Sequence, residues 1–171
     1  TAYEIRNCDW SSDVCSSDLF KALGALLSYP ETALIEALPD IRAVVANEAL
    51  LPKARQAALG ELMDDMAQTE LMAQQERYVE LFDRLRSLSL HLFEHVHGES
   101  RDRGQAMVDL SAMYARQGLV LADNELPDYL PALLEFLSRL PLKEAKTLLK
   151  DAAHIFEAVR SEEHTSELQS Q

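Results

Sequence analysis

The sequence predicts an all-α fold, a single bundle of about seven helices. Apolar residues recur at helical spacing through most of the chain. Ala, Leu, Glu, Gln and Arg, all good helix formers, dominate the composition, while 171 residues hold only 5 Gly and 6 Pro. No stretch alternates apolar and polar residues with period two between turns, so no sheet is expected.

The elements follow in order. "FKALGALLS" predicts a short helix from Phe20 to Ser28, and Glu31 and Thr32 begin a second. Pro30 and Pro39 are read as boundaries, because proline lacks a backbone donor and clashes one turn back. "LPKARQAALGELMDDMAQ" puts Leu59, Leu62, Met63 and Met66 on one stripe, with Pro52 in its first turn. "ELMAQQERYVELFDRLRSLSLHLFEHVHG" is a long helical region with a break near Ser87 and Ser89, and Gly98 suits the position just past its end. The next helix starts at Ser100 as N-cap and ends at Gly118. "PDYLPALLEFLSRLP" and "LKEAKTLLKDAAHIFEAVR" supply the last two.

Length and composition bound the rest. The chain is one domain long. Residues 1–19 and 161–171 are rich in Ser, Asp and Glu, lack apolar periodicity and resemble sequencing-adapter read-through, so they are expected to be non-native or disordered tails around a domain at 20–160. Both cysteines, Cys8 and Cys15, fall in the first tail. The body therefore has no thiol for iron–sulfur or cysteine-based zinc sites. The net charge is −13, and −7 within 20–160 (15 Lys and Arg against 22 Asp and Glu). That field repels phosphate backbones and anionic membranes, so nucleic acid is not an expected partner. No apolar run is long enough to cross a bilayer and no signal peptide is evident, which predicts a cytoplasmic protein without direct membrane insertion.

One stretch concentrates chemistry: "HLFEHVHGESRDRG", His91 to Gly104. His91, Glu94 and His95 fit H-x-x-E-H, the helical spacing of inverted zinc peptidases. Arg101 and Arg103 before a helix could attract a phosphate, although Glu99 and Asp102 alternate with them and could instead close an ion-pair network. Glu94 with His95 could do acid–base work. A nucleophile is missing, since Ser100 sits in no glycine-rich elbow.

The longer stretch "LFEHVHGESRDRGQAMVDL", Leu92 to Leu110, resembles the signature of the nitrate reductase molybdenum cofactor assembly chaperones, within the broader twin-arginine-leader chaperone superfamily. Tyr78, Leu81, Phe82 and Asp83 match the family's tyrosine-x-x-leucine-phenylalanine-aspartate segment. "NELPDYLPALLEFL" is similar to its leucine-proline-aspartate segment and "LLSYPE" to its opening helix. The resemblance covers 20–160. It leaves His91 outside the motif, which makes the zinc pattern accidental. It implies an all-α chaperone that is not an enzyme, needs no cofactor or metal of its own, and binds the N-terminal segment of the apo catalytic subunit of a respiratory nitrate reductase for molybdenum cofactor insertion. The alternatives are a maturation chaperone for another molybdoenzyme, or a zinc hydrolase. Family members continue past the position of Arg160, so the chain is expected to be truncated, which favours a homodimer over the uncovered apolar stripe.

A client segment of this kind can lay an apolar face into a groove between helices. The expected walls are Tyr78, Leu81 and Phe82 on one side and Leu126, Tyr129, Leu130 and Phe136 on the other, with Glu76, Asp83, Glu94 and Asp128 on the rim. His95 and His97 are a candidate pH switch, and the loop from His95 to Arg103, with Arg101, is expected to contact the client.

Overall fold

The computed structural model describes residues 16–47, 50–96, 102–122, 125–151 and 153. They form eight α-helices and, among the described residues, no strand. Most of the two expected tails lies outside the described residues. However, α1 (Ser16–Leu26) starts inside the first of them, and its Leu19 is buried.

α1 ends where Ser28 Oγ donates to the Gly24 carbonyl at 2.9 Å and Pro30 forces the chain out of the helix. α2 (Thr32–Asn47) then runs straight through Pro39, which corrects the expected boundary there. Pro39 is exposed, so solvent can satisfy the carbonyl that its ring leaves unbonded. Leu34, Leu38, Ile41 and Val45, buried on the opposite face, offset a penalty of about 3 kcal/mol. α3 (Lys53–Gln68) follows Pro52 and buries Met63 and Met66. Leu62, expected on the same stripe, is instead 40% exposed.

α4 (Leu71–Tyr78) continues into a π-helical turn, Val79–Asp83, closed by the Arg84 N–H on the Val79 carbonyl at 3.0 Å. Leu85 and Ser89 are extended on either side of a 3-10 turn, Arg86–Leu88. The expected break therefore falls where the two serines stand, and α5 (Leu92–Val96) becomes a separate helix. α6 (Asp102–Arg116) ends at Gly118, whose φ of +71° is the left-handed conformation that only glycine takes cheaply. Ser100 and Gly98, the expected caps of this region, lie outside the described residues. α7 (Leu130–Ser138) and α8 (Leu142–Asp151) follow, with Pro131 in the first turn of α7 and Pro141 between the two.

α1 is the axis of the bundle. One of its faces gives Ala22 and Ala25 to a core with Leu34, Ile41 and Val45 of α2 and Met63 of α3. The other gives Phe20 to a second core with Tyr114 of α6, Leu134, Phe136 and Leu137 of α7, and Ala145 of α8. Small residues on α1 let its neighbours approach closely. A Cβ on Gly24 would stand 3.3 Å from the Pro131 carbonyl and 3.4 Å from Leu134 Cβ.

Candidate functional site

The segments before α5 and before α7 meet, although 37 residues separate His91 from Asp128. His91 and Tyr129 form a lone antiparallel bridge, the Leu130 N–H donates to the Leu90 carbonyl at 2.9 Å, and the Leu92 N–H donates to the Asp128 carbonyl at 3.0 Å. The Asp128 carboxylate closes the junction. Oδ2 accepts the Phe93 N–H at 3.1 Å, one of the unpaired amides that open α5, and Oδ1 faces His91 Nδ1 at 3.3 Å. Arg103 of α6 lies 3.9 Å from Oδ2 and 4.0 Å from Glu94. Asp128 is 0% exposed, so its charge has exchanged water for these donors. The hydrogen bond to Asp128, against the opposing effect of burial, raises the His91 pKa above its ordinary 6.5. From below, Tyr114 donates its hydroxyl to the Pro127 carbonyl at 2.8 Å and stacks its ring against Phe136.

This junction fixes an aromatic surface. The Tyr78 hydroxyl donates to the Leu27 carbonyl at 3.1 Å and stands 2.8 Å from the Tyr129 hydroxyl. A carbonyl only accepts, so the single Tyr78 proton goes to Leu27 and Tyr129 donates to Tyr78. The π turn brings Phe82 against Tyr78, with centroids 4.9 Å apart, and Tyr29 meets Tyr78 edge-on at 5.4 Å and 84°. His91 lies over Tyr129 at 5.4 Å. Burial, together with the negative charge of Asp83 near both phenols and of Glu125 near Tyr129, holds both tyrosines above their usual pKa. They stay neutral, each with an apolar ring and a fixed hydroxyl. The surface can grip an apolar segment whose own charges are positive.

The expected site residues divide accordingly. Tyr78, Phe82 and Tyr129 come together; Leu81 and Leu126 are exposed on the segments carrying those rings, and Leu130 is half-buried against the second core. Glu76 and Asp83 are exposed, as a rim requires. Two assignments need correction. Phe136 is 1% exposed and packs in the second core, so it lines no open groove here. Asp128 belongs to no solvated rim, because the junction encloses it. Glu94 is half-buried near Arg103. His95 Nε2 reaches back to the Ser89 carbonyl at 2.8 Å, which places its proton on that nitrogen and makes it a brace at the start of the segment. His97 and Arg101 lie outside the described residues.

Tyr29, His91 and Tyr114 are the participants that sequence reasoning missed. His91 was visible only through the zinc pattern, yet its Nδ1 is engaged by Asp128. Tyr29, just before a proline, carried a faint signal of a fixed extended residue.

Comparisons with known proteins agree with one another. The sequence model of the family described as nitrate reductase delta subunit matches residues 48–167. The nitrate reductase molybdenum cofactor assembly chaperone NarJ of Escherichia coli strain K12 is 51% identical over 130 residues, 76% of this chain and 55% of that protein. The probable nitrate reductase molybdenum cofactor assembly chaperone NarW of the same strain is 44% identical over 137 residues, 80% of this chain and 56% of that protein. The chain thus spans little more than half the length of these relatives. In the crystal structure of a putative redox enzyme maturation protein from Archaeoglobus fulgidus the fold recurs, with a TM-score of 0.60 and 21% identity over 85% of this chain and 83% of that one.

Proposed function

The chain belongs to the nitrate reductase delta subunit family, and from that premise we propose that it is a system-specific assembly chaperone for a respiratory nitrate reductase. In this reading it binds the N-terminal segment of the apo catalytic subunit and keeps that subunit open to molybdenum cofactor insertion. The names of its relatives support the role. The observation that carries it is the aromatic surface of Tyr78, Phe82 and Tyr129, held by the buried Asp128 junction and bordered by the exposed acidic residues Glu76 and Asp83.

A preformed surface of this kind loses little conformational freedom on binding, which leaves more of the contact energy as affinity. An amphipathic client helix lays its apolar side on the rings, while the acidic border orients its basic residues. The chain acts by binding alone, in the cytoplasm, and catalyses no reaction. Among the described residues, no helix is long and apolar enough to cross a membrane.

The test is a calorimetric titration of the full chain with a synthetic peptide of the catalytic subunit's N-terminal segment. Micromolar or tighter binding is expected. A folded, helical protein that gives no binding signal by calorimetry or by a second optical method would overturn the proposal. Parallel titrations with leader peptides from other molybdoenzymes establish how narrow the client range is.

A further inference from the structure

We infer that Tyr29 is a further, specificity-determining contact of the client surface, the anchor on its α1–α2 side. The inference rests on the chaperone role proposed above. Its occupant is an apolar side chain of a helical client segment that carries positive charge beside that side chain.

Tyr29 is 44% exposed and touches Tyr78 only edge to face. Other large apolar side chains are also exposed, Met72 and Val108 on helices whose regular backbone fixes them incidentally and Leu85 and Val120 outside helices, but none of them has a ring stacked on the aromatic surface. Tyr29 lies in a loop, and that loop is pinned on both sides of it. The Leu27 carbonyl takes the Tyr78 hydroxyl at 3.1 Å, Ser28 Oγ bonds the Gly24 carbonyl at 2.9 Å, and Gln75 Nε2 bonds the Pro30 carbonyl at 2.9 Å. Pro30 further restricts the Tyr29 backbone to extended conformations. Three side-chain staples therefore hold in place a ring that leaves nearly half of its surface open to a partner.

Such an arrangement preorganises a contact, since the backbone entropy of the loop is already lost before a partner arrives. Rigid tyrosines beside other rings are the residues on which interfaces concentrate their energy. The charge pattern names the partner's sign. Asp83 stands exposed next to Phe82, and the nearby arginines Arg77 and Arg84 pair with Asp65 and Glu80.

The experiment compares wild type, Tyr29→Ala, Tyr29→Phe and the control Val120→Ala in the peptide titration, with thermal melts of each. Tyr29→Ala should weaken binding by about tenfold or more while keeping its helical fold, with a melting temperature lowered by only a few degrees through the lost contact with Tyr78, because truncating an anchoring tyrosine has that effect at other interfaces. Tyr29→Phe and Val120→Ala should bind within about twofold of wild type, since the ring and not the hydroxyl is used. Independently of any substitution, bound peptide should slow nitration of Tyr29 by tetranitromethane, read by mass spectrometry. Wild type that binds the peptide while Tyr29→Ala binds equally well, or while nitration of Tyr29 is unaffected, overturns this inference and leaves the chaperone role standing. Wild type that does not bind overturns both.

Discussion

Replacing Asp128 with alanine removes a buried carboxylate that two chain segments share. The Phe93 N–H, at 3.1 Å, and His91 Nδ1, at 3.3 Å, both lose their acceptor, and the start of α5 loses its external cap. Hydrogen bonds to a charged group contribute about 1.5–3 kcal/mol each, so two of them set a loss of about 3–6 kcal/mol. His91 is a third exposed, which pulls the figure toward the lower end. Arg103, at 3.9 Å and partly solvated, adds little. Asp128→Asn keeps an oxygen for the Phe93 N–H but loses the charge and presents an NH2 donor to His91 Nδ1, so about 1–2 kcal/mol is expected. Urea denaturation followed by far-ultraviolet circular dichroism measures both. The expected order is wild type, then Asn, then Ala, with a double-mutant cycle showing coupling between His91 and Asp128. An alanine variant within about 1 kcal/mol of wild type would refute the reasoning, because a buried carboxylate making these bonds cannot vanish so cheaply.

The remaining predictions test other parts of the fold. The His91 pKa is raised in the folded protein, so its contribution is complete below about pH 6.5 and fades as pH rises through the higher folded value. Wild type should therefore lose stability relative to His91→Asn as the pH rises above 6.5 and through the higher folded value, by urea titration at each pH, and parallel profiles would contradict the assignment. Tyr114→Phe leaves the Pro127 carbonyl without its buried partner and should cost about 1–2 kcal/mol by the same assay. Gly24→Val forces α1 away from Pro131 and Leu134, with an expected loss of about 1–3 kcal/mol and a lower melting temperature. Arg77→Ala breaks only the exposed pair with Asp65 and should change stability by less than about 1 kcal/mol.

Helix content and the glycine stop of α6 were legible in the residues themselves, because apolar periodicity and local backbone chemistry act over one or two turns. Tyr78, Phe82 and Tyr129 stood out because they lie in segments that resemble those of the family and offer rings to the client groove which that resemblance implies. Pro39 was misread because a proline's cost depends on whether its freed carbonyl faces water, which is a property of the packed helix. Leu62 and Phe136 were misplaced relative to solvent because periodicity assigns a side chain to a face and leaves open how deeply that face is covered.

What the sequence determined by itself is the set of helices, their apolar faces, and an acidic molecule bearing a family signature. Tertiary structure alone decided that Asp128 would be a buried junction and not a rim charge, that His91 would bond it, and that Tyr29 would stand beside Tyr78. Those pairings, and that of Tyr78 with Tyr129, join residues 37 to 51 positions apart. A side chain's burial and partners follow from which segments the bundle brings together, and local pattern carries no information about that until α1 has packed against both of its neighbours.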